Sequence, residues 1–546
     1  TTNSASAGWN KYHLQDFSVD DNGVYSFVTR LQNESGGEVS TDLKPGVANS
    51  GDRRFYFQAI MDYNRTFGKH DVNAMFIYNQ DELVTQLFSG DLIAALPKRK
   101  QGVAARLSYA YDGKYLAEVN MGYNGSENFA KGHRWGFFPS IAVGYNISEE
   151  AFFEPLKNVF SNMKIRASWG LVGNDNIGGA RFVYMPTINL TGTGYTTGLD
   201  GDITYKGPVY SRYGNPEVTW EVGKKVNVGL DLQLFNSLNL TMDYFHETRT
   251  DIFQERGTIP QYLGTAGTKV FGNLAAMKNQ GFDFAADFNK KIGKDWFISF
   301  KRTFTYAHNE ITKYDESPKY AFQSKVGQSA NIPSIMISDG LFKDPDDVKN
   351  SNQQIGGNLS AGDIKYVNIS KLYGYDDDIV DISDWVWAKN PTVPEIVYGF
   401  GPSIRWKNLD FSFFFQGVAK VSLVMSDFHP FGDNSLRNVL TWIADDRWSP
   451  DNQNINATYP RLTRDTSVNN TQRSDYWLRN AAFIKLKNAE IGYTYKNMRF
   501  YVSGMNLATF SPFKHWDPEQ GGGNGLKYPT QRVFNFGFQM TINNNR

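Results

Sequence analysis

The sequence predicts an all-β fold, a transmembrane antiparallel β-barrel, and three observations point to it. Apolar and polar residues alternate along much of the chain. The cleanest case is Lys225 to Phe235, where Val226, Val228, Leu230, Leu232 and Leu234 alternate with Asn227, Gly229, Asp231 and Gln233. Aromatics make up 15% of the 546 residues, with 40 Phe and 30 Tyr, and Gly stands at 50. That composition suits aromatic girdles and strands that bend or approach closely. Finally, the longest charge-free stretches, such as Phe182 to Leu199, are rich in Gly and Thr and are not spanning helices. A bilayer admits only helices and closed barrels, because nothing else satisfies every backbone polar group, so the barrel is what remains. A mean hydropathy of −0.47 fits it, since a barrel shows only alternate residues to lipid and carries polar loops outside.

The strands follow in pairs. Arg54 to Phe67 and Asp71 to Asp81 flank Gly68-Lys69-His70. Val103 to Tyr111 and Lys114 to Tyr123 flank Asp112-Gly113, a type I′ hairpin signal. Trp135 to Asn146 and Met163 to Leu171 come next, then Lys225 to Phe235, the turn Asn236-Ser237, and a strand with Leu240, Met242 and Tyr244 on one face. Gly281 to Asn289, Trp296 to Ala307, Val397 to Trp406, Leu409 to Gln416 and Val533 to Ile542 continue the set. Near the end a nearly unbroken alternating strip runs from Asp475 through Phe483 to Tyr493 and on from Arg499 to Leu507, a hairpin with a very short turn. About 15–17 strands result, each expected near the ~9–11 residues that a tilted membrane strand needs. Turns within pairs are short and connections between pairs long, the longest being Glu310 to Pro394 and Ser422 to Asn480. That asymmetry places the long loops on the extracellular side of such a barrel.

Bulk numbers exclude several functions. There is no Cys, hence no disulfide framework, thiol nucleophile or Cys-based metal site. Lys+Arg and Asp+Glu both count 56, a balance that argues against a nucleic-acid partner. The seven His residues include no i, i+4 pair of the kind that binds zinc on a helix. Thr1 to Ala5 carries no signal peptide, so the chain reads as mature, truncated or internal. No enzyme, no cofactor and no metal site is expected.

Several segments, taken in order, resemble the C-terminal part of SusC/RagA-type TonB-dependent outer-membrane transporters of the Bacteroidetes. They are Tyr63 to Val72, the Lys164-Ile165-Arg166-Ala167-Ser168-Trp169-Gly170 strand through Asn174, Asn215-Pro216-Glu217-Val218-Thr219-Trp220, and Asn279-Gln280-Gly281-Phe282-Asp283. Gly362-Asp363-Ile364-Lys365-Tyr366, Pro394 to Gly401, Asp446-Arg447-Trp448-Ser449-Pro450, Tyr459-Pro460-Arg461, Ser503 to Leu507 and Trp516-Asp517-Pro518-Glu519 follow. The resemblance covers nearly the whole chain. It implies that residues 1–546 are the C-terminal part of a barrel of about 22 strands, with the plug and first strands not in this chain.

It further implies TonB-driven import of large nutrients, oligosaccharides or oligopeptides, across the bacterial outer membrane. The implied partners are a SusD-like surface lipoprotein acting as a lid, TonB-ExbB-ExbD reached through a plug not present here, outer-membrane lipid and the ligand. Two other readings stay open: a passive porin-type channel complete within the chain, and a non-transporting platform for surface protein assembly. Among loop aromatics, Trp385 and Trp387 are the candidate substrate-binding residues, since aromatic faces stack on sugar rings and apolar peptide side chains. Relatives often follow the G-D-I-x-Y segment with a calcium-type loop, but here Val367 to Tyr375 breaks the ligand spacing. Asp376, Asp377, Asp378 and Asp381 then read as a solvated acidic loop rather than a metal site.

Overall fold

The computed structural model describes residues 2–6, 13–19, 24–31, 46–86, 96–178, 180–260, 262, 268–375, 378–429, 439–463 and 467–542. The chain begins with β1 (Thr2–Ser6) and the hairpin β2 (His13–Val19) and β3 (Tyr25–Leu31). Six strands follow: β4 (Gly46–Phe67), β5 (His70–Gln86), β6 (Lys98–Tyr111), β7 (Tyr115–Ser126), β8 (Trp135–Asn146) and β9 (Phe160–Asn174). A separate ribbon, β10 (Thr187–Thr197) and β11 (Ile203–Arg212), precedes β12 (Glu221–Leu234), β13 (Leu238–Glu255), β14 (Phe271–Ile292) and β15 (Trp296–Lys313). Short pieces come next: β16 (Ser334–Ile335), β17 (Ser338–Leu341), β18 (Ile364–Tyr366) and β19 (Val386–Trp387). Then β20 (Ile396–Trp406) and β21 (Leu409–Ala419) are separated by β22 (Ser422–Val424) and β23 (Leu478–Asn480) from β24 (Phe483–Tyr495), β25 (Met498–Phe510) and β26 (Val533–Met540).

One antiparallel sheet takes sixteen of these strands, in the order β1-β4-β5-β6-β7-β8-β9-β12-β13-β14-β15-β20-β21-β24-β25-β26. It is an up-and-down meander in which sequence neighbours pair, apart from the skipped ribbons and short pieces. Among the described residues β26 pairs with β25 and β1 with β4, and no ladder joins β26 to β1.

Register shows why alternation produced a wall with two unlike faces. Val228 stands opposite Ala167 and Tyr244, and Leu230 opposite Ile165 and Met242. Met242 and Tyr244 then face Phe284 and Phe282, which face Phe304 and Tyr306. This face is apolar and largely exposed, as a lipid-facing surface must be. Trp296 stacks on Trp406 at 5.6 Å near one end of it, beside the short turns, the place where amphipathic rings settle at a membrane boundary. The other face carries Arg166, Asp231, Asp243, Asp283 and Thr305, a polar inner wall.

The sheet departs from the sequence reading in three ways. Strands run past the expected ~9–11 residues, reaching 22 in β4 and β14, because hydrogen-bonded pairing continues beyond the height of any bilayer. The turn before β13 centres on Phe235-Asn236, one residue early. Both residues have positive φ, 52° and 49°, and Ser237 N–H closes the turn on the Leu234 carbonyl at 2.9 Å. That is I′ geometry on an aromatic residue, which propensity does not suggest. His70 likewise belongs to β5, so the first turn is Gly68-Lys69. The Asp112-Gly113 turn has φ of 53° and 67°, as its sequence demanded.

Candidate functional site in the cap and on the inner wall

At the end opposite the short turns, the described parts of residues 314–395 and 420–482 are not loose loops. They fold together into a cap with its own core. Leu341, Ile364 and Tyr366 come from the first segment, and Leu423, Ile443, Trp448, Tyr459 and Trp477 from the second. Phe513, from the β25–β26 connection, packs with them. Trp477 is 1% exposed, and its indole N–H donates to the Asn470 carbonyl at 2.8 Å, so the ring buries its area without stranding a donor. Burial also raises the phenol pKa of Tyr366, Tyr459 and Tyr476 above the ordinary value, leaving them neutral hydrogen-bonding groups.

The two segments are tied by polar clamps, and these explain the motifs. In the Gly362 to Tyr366 stretch, Asp363 is 1% exposed and accepts from Arg461 Nε at 2.7 Å, Arg461 Nη2 at 3.0 Å and Asn470 Nδ2 at 2.8 Å. Asn470 Oδ1 accepts from the Ile364 N–H at 2.9 Å, and Asn469 Nδ2 donates to the Ile364 carbonyl at 2.7 Å. Gln354 clamps Tyr366 in the same manner, accepting from its N–H and donating to its carbonyl. A strand of three residues, paired only with the short β17, thus has the rest of its backbone satisfied by side-chain amides. Gly362 has φ +84°, and a Cβ there would meet the Trp448 ring at 2.3 Å. Only Gly admits both that backbone and that ring.

A second tie joins the wall to the β25–β26 connection, which packs on the cap core through Phe513. Lys485, on β24, has a fully buried side chain whose ammonium donates to Asp517 at 2.7 and 2.9 Å and to Glu519 at 2.6 Å. Lys487 adds a bond to Glu519 at 2.7 Å. Burial by itself pushes both carboxyls up. Hydrogen bonds from Lys485, joined by the Glu519 N–H at Asp517 and by Lys487 at Glu519, together with the ammonium charges outweigh it and hold both carboxyls below the usual carboxylate range. Where β20, β21 and β24 run into the cap lies an open cavity of about 970 Å³. Its lining mixes Val418, Leu423 and Phe483 with Gln416, Asp427, Arg473 and Glu519, a surface of the kind that holds a ligand with apolar and polar parts.

On the inner wall, Arg166 bridges two carboxylates from neighbouring strands, donating to Asp243 at 2.6 and 2.7 Å and to Asp231 at 3.0 Å. Its guanidinium lies flat over Gly229, whose Cβ, if present, would meet Arg166 Cζ at 2.5 Å. Arg499 repeats the device with Asp410 and Glu490 over Gly492. Each cluster sums to one negative charge. Sequence reading passed over both. The signal was available, a lone Arg and two acids in inward positions with a Gly opposite, but only register brings them together.

Trp385 and Trp387 are partly buried and meet edge to face at 5.7 Å. Trp385 packs against the cap core, and Trp387 Nε1 donates to the Ser324 carbonyl at 2.9 Å while its backbone pairs with Ser334. Asp381 caps the short helix at Ile382, accepting from Ser383 N–H, and Asp378 pairs with Lys371 at 2.8 Å. Asp376 and Asp377 lie outside the described residues.

Known proteins agree with this architecture. TonB-dependent receptor P3 of Formosa agariphila is 24% identical over 562 aligned residues, which cover 92% of this chain and 54% of that protein. TonB-dependent receptor SusC of Bacteroides thetaiotaomicron is 27% identical over 470 residues, covering 80% and 43% respectively. The solved RagAB peptide transporter superposes with a TM-score of 0.67 at 21% identity, covering 90% of this chain and 56% of that one, which establishes the shared fold. The chain spans about half the length of the curated relatives it matches. The family model described as TonB dependent receptor-like, beta-barrel, matches residues 1–507, and the chain belongs to that family.

Proposed function

We propose that this chain supplies most of the wall and the extracellular cap of an outer-membrane importer of large nutrients, oligosaccharides or oligopeptides. Import is driven by TonB-ExbB-ExbD acting through a plug inside the barrel, and a SusD-like lipoprotein sits over the cap as a lid. The wall performs no covalent chemistry. Its inner face contacts the plug, and its cap contacts ligand and lid.

The observation that carries this reading is the folded cap. A passive pore gains nothing from ordering two long segments around a shared aromatic core at its mouth, since each ordered residue costs about 1–2 kcal/mol of backbone entropy. A gated receptor gains a rigid docking surface. A barrel of about 22 strands has a lumen that leaks unless plugged. The name of the RagAB peptide transporter favours a peptide for that protein. SusC-type ancestry leaves oligosaccharide equally open for this one.

The proposal extends to Trp385 and Trp387, whose partly exposed rings would stack on the ligand. If so, Trp387→Ala raises the KM for uptake with the cap still resistant to protease. A cap that opens instead assigns both rings to packing alone. Mass spectrometry of the intact purified complex tests the larger reading. A SusD-like lipoprotein and plug-bearing sequence are expected with this chain. A closed, heat-modifiable barrel made of these residues alone would overturn it in favour of a channel or platform.

A further inference from the structure

One charge stands at mid-height on the outer face of this part of the wall, whereas Lys290, opposite Ile298, sits beside the Trp296 end. Arg302 of β15 stands opposite Ala286 on β14 and Phe400 on β20, in line with Ile298, Phe300, Phe304 and Tyr306 on the apolar face. It lies six residues from Trp296 and four from Tyr306. At about 2.5 Å of depth per residue for a tilted strand, that is near the middle of an apolar band about 25 Å tall. Its Cζ lies over the Phe284 ring at 5.9 Å. Phe284 pairs with Phe304, so the guanidinium leans away from the short turns, toward the cap side. Beside it runs a groove of about 760 Å³ walled by Val228, Leu230, Met242, Phe284 and Phe304.

We propose that this groove holds one anionic phosphate-bearing lipid, an acyl chain lying along the apolar wall and the phosphate drawn down onto Arg302. The inference rests on the reading that this sheet crosses a membrane. Charge selects the occupant. A second copy meeting this face symmetrically offers no acid at that height, because between the levels of Trp296 and Tyr306 the outward positions of β12–β15, β20 and β21 carry no Asp or Glu. A zwitterionic lipid brings its own cation, whereas an anionic phosphate needs one, and planar guanidinium binds phosphate in a fork. The depth is reachable. Arg302 starts about 10 Å below the Tyr306 level, its long side chain covers more than half of that, and a lipid headgroup sinks locally toward a snorkelling Arg.

The receptor purified from outer membranes is reconstituted into bilayers of equal parts phosphatidylglycerol and phosphatidylcholine, and lipid retained after detergent extraction is read by native mass spectrometry. One phosphatidylglycerol is expected to be retained at about tenfold preference, as one charge-assisted contact supplies. Arg302→Met should abolish the preference and Arg302→Lys keep part of it. Lys301→Met, altered on the opposite face, should leave it intact. Equal retention by wild type and Arg302→Met overturns the proposal, as does displacement of the lipid by millimolar inorganic phosphate. Flotation with the vesicles is scored separately, so failure to insert sinks the membrane reading and insertion without preference sinks only the lipid site.

Discussion

The wall and the cap meet one requirement, burying apolar surface with backbone polar groups satisfied, by opposite means. In the wall strands are satisfied by their neighbours along ladders, the longest of a dozen or more residue pairs, such as the unbroken β12–β13 pairing of Val222–Leu234 with Leu238–Thr250. No single side chain is indispensable there, and the faces need only alternate. In the cap the strands are two to four residues long, too short to support one another. These strands do pair, β16 with β19, β17 with β18 and β22 with β23, but Asp363, Asn470 and Gln354 must complete what such short ladders leave open, and Lys485 of the wall anchors the β25–β26 connection beside them. Stability in the wall is therefore distributed, and in the cap it is concentrated in a few buried polar contacts.

The difference is broken most severely at Lys485. Asp517→Ala with Glu519→Ala leaves a buried ammonium without acids, at a cost of about 3–5 kcal/mol. Hydrogen exchange should show the cap opening while the wall ladders stay protected. Acid makes the same cut reversibly. Because both carboxyls are held below their ordinary values, their tie contributes fully above the ordinary carboxylate range and is lost as pH falls through the depressed values. Pepsin susceptibility of the cap should rise as pH falls below about 4, with heat-modifiable migration of the barrel unchanged. Gly362→Ala comes next, at about 2–3 kcal/mol, since it combines positive φ with a collision against Trp448. Its counterpart in the wall, Gly229→Ala, meets no backbone but the side-chain ends of Arg166 and Asp243, which can shift with some loss of their ion pair, and should cost about 1 kcal/mol. Equal effects from the two glycines, measured by cap proteolysis and barrel melting, would erase the distinction between the regions.

The same contrast governs what could be read from the sequence. The wall was legible because period-two alternation is a local signal. Lys225 to Leu234 and the Asp112-Gly113 turn needed no distant partner. The cap was not, because its contacts join residues about a hundred apart, as Asp363 joins Arg461 and Asn470. Its motifs could be matched to a family by order without revealing that Gly362 exists to seat Trp448. The β10–β11 ribbon escaped notice for another reason. Its Gly- and Thr-rich strands alternate weakly, and its register shifts three times. Lys485 reads as one more charge in an alternating strip, and only the packing of Asp517 and Glu519 over it makes it a buried hub.

Uptake of labelled oligosaccharide and oligopeptide pools by cells carrying this receptor, with and without a functional TonB, tests the central claim most directly. Saturable uptake that disappears with TonB is the expected result. Uptake that is unsaturable and indifferent to TonB would contradict it and make the barrel a passive channel.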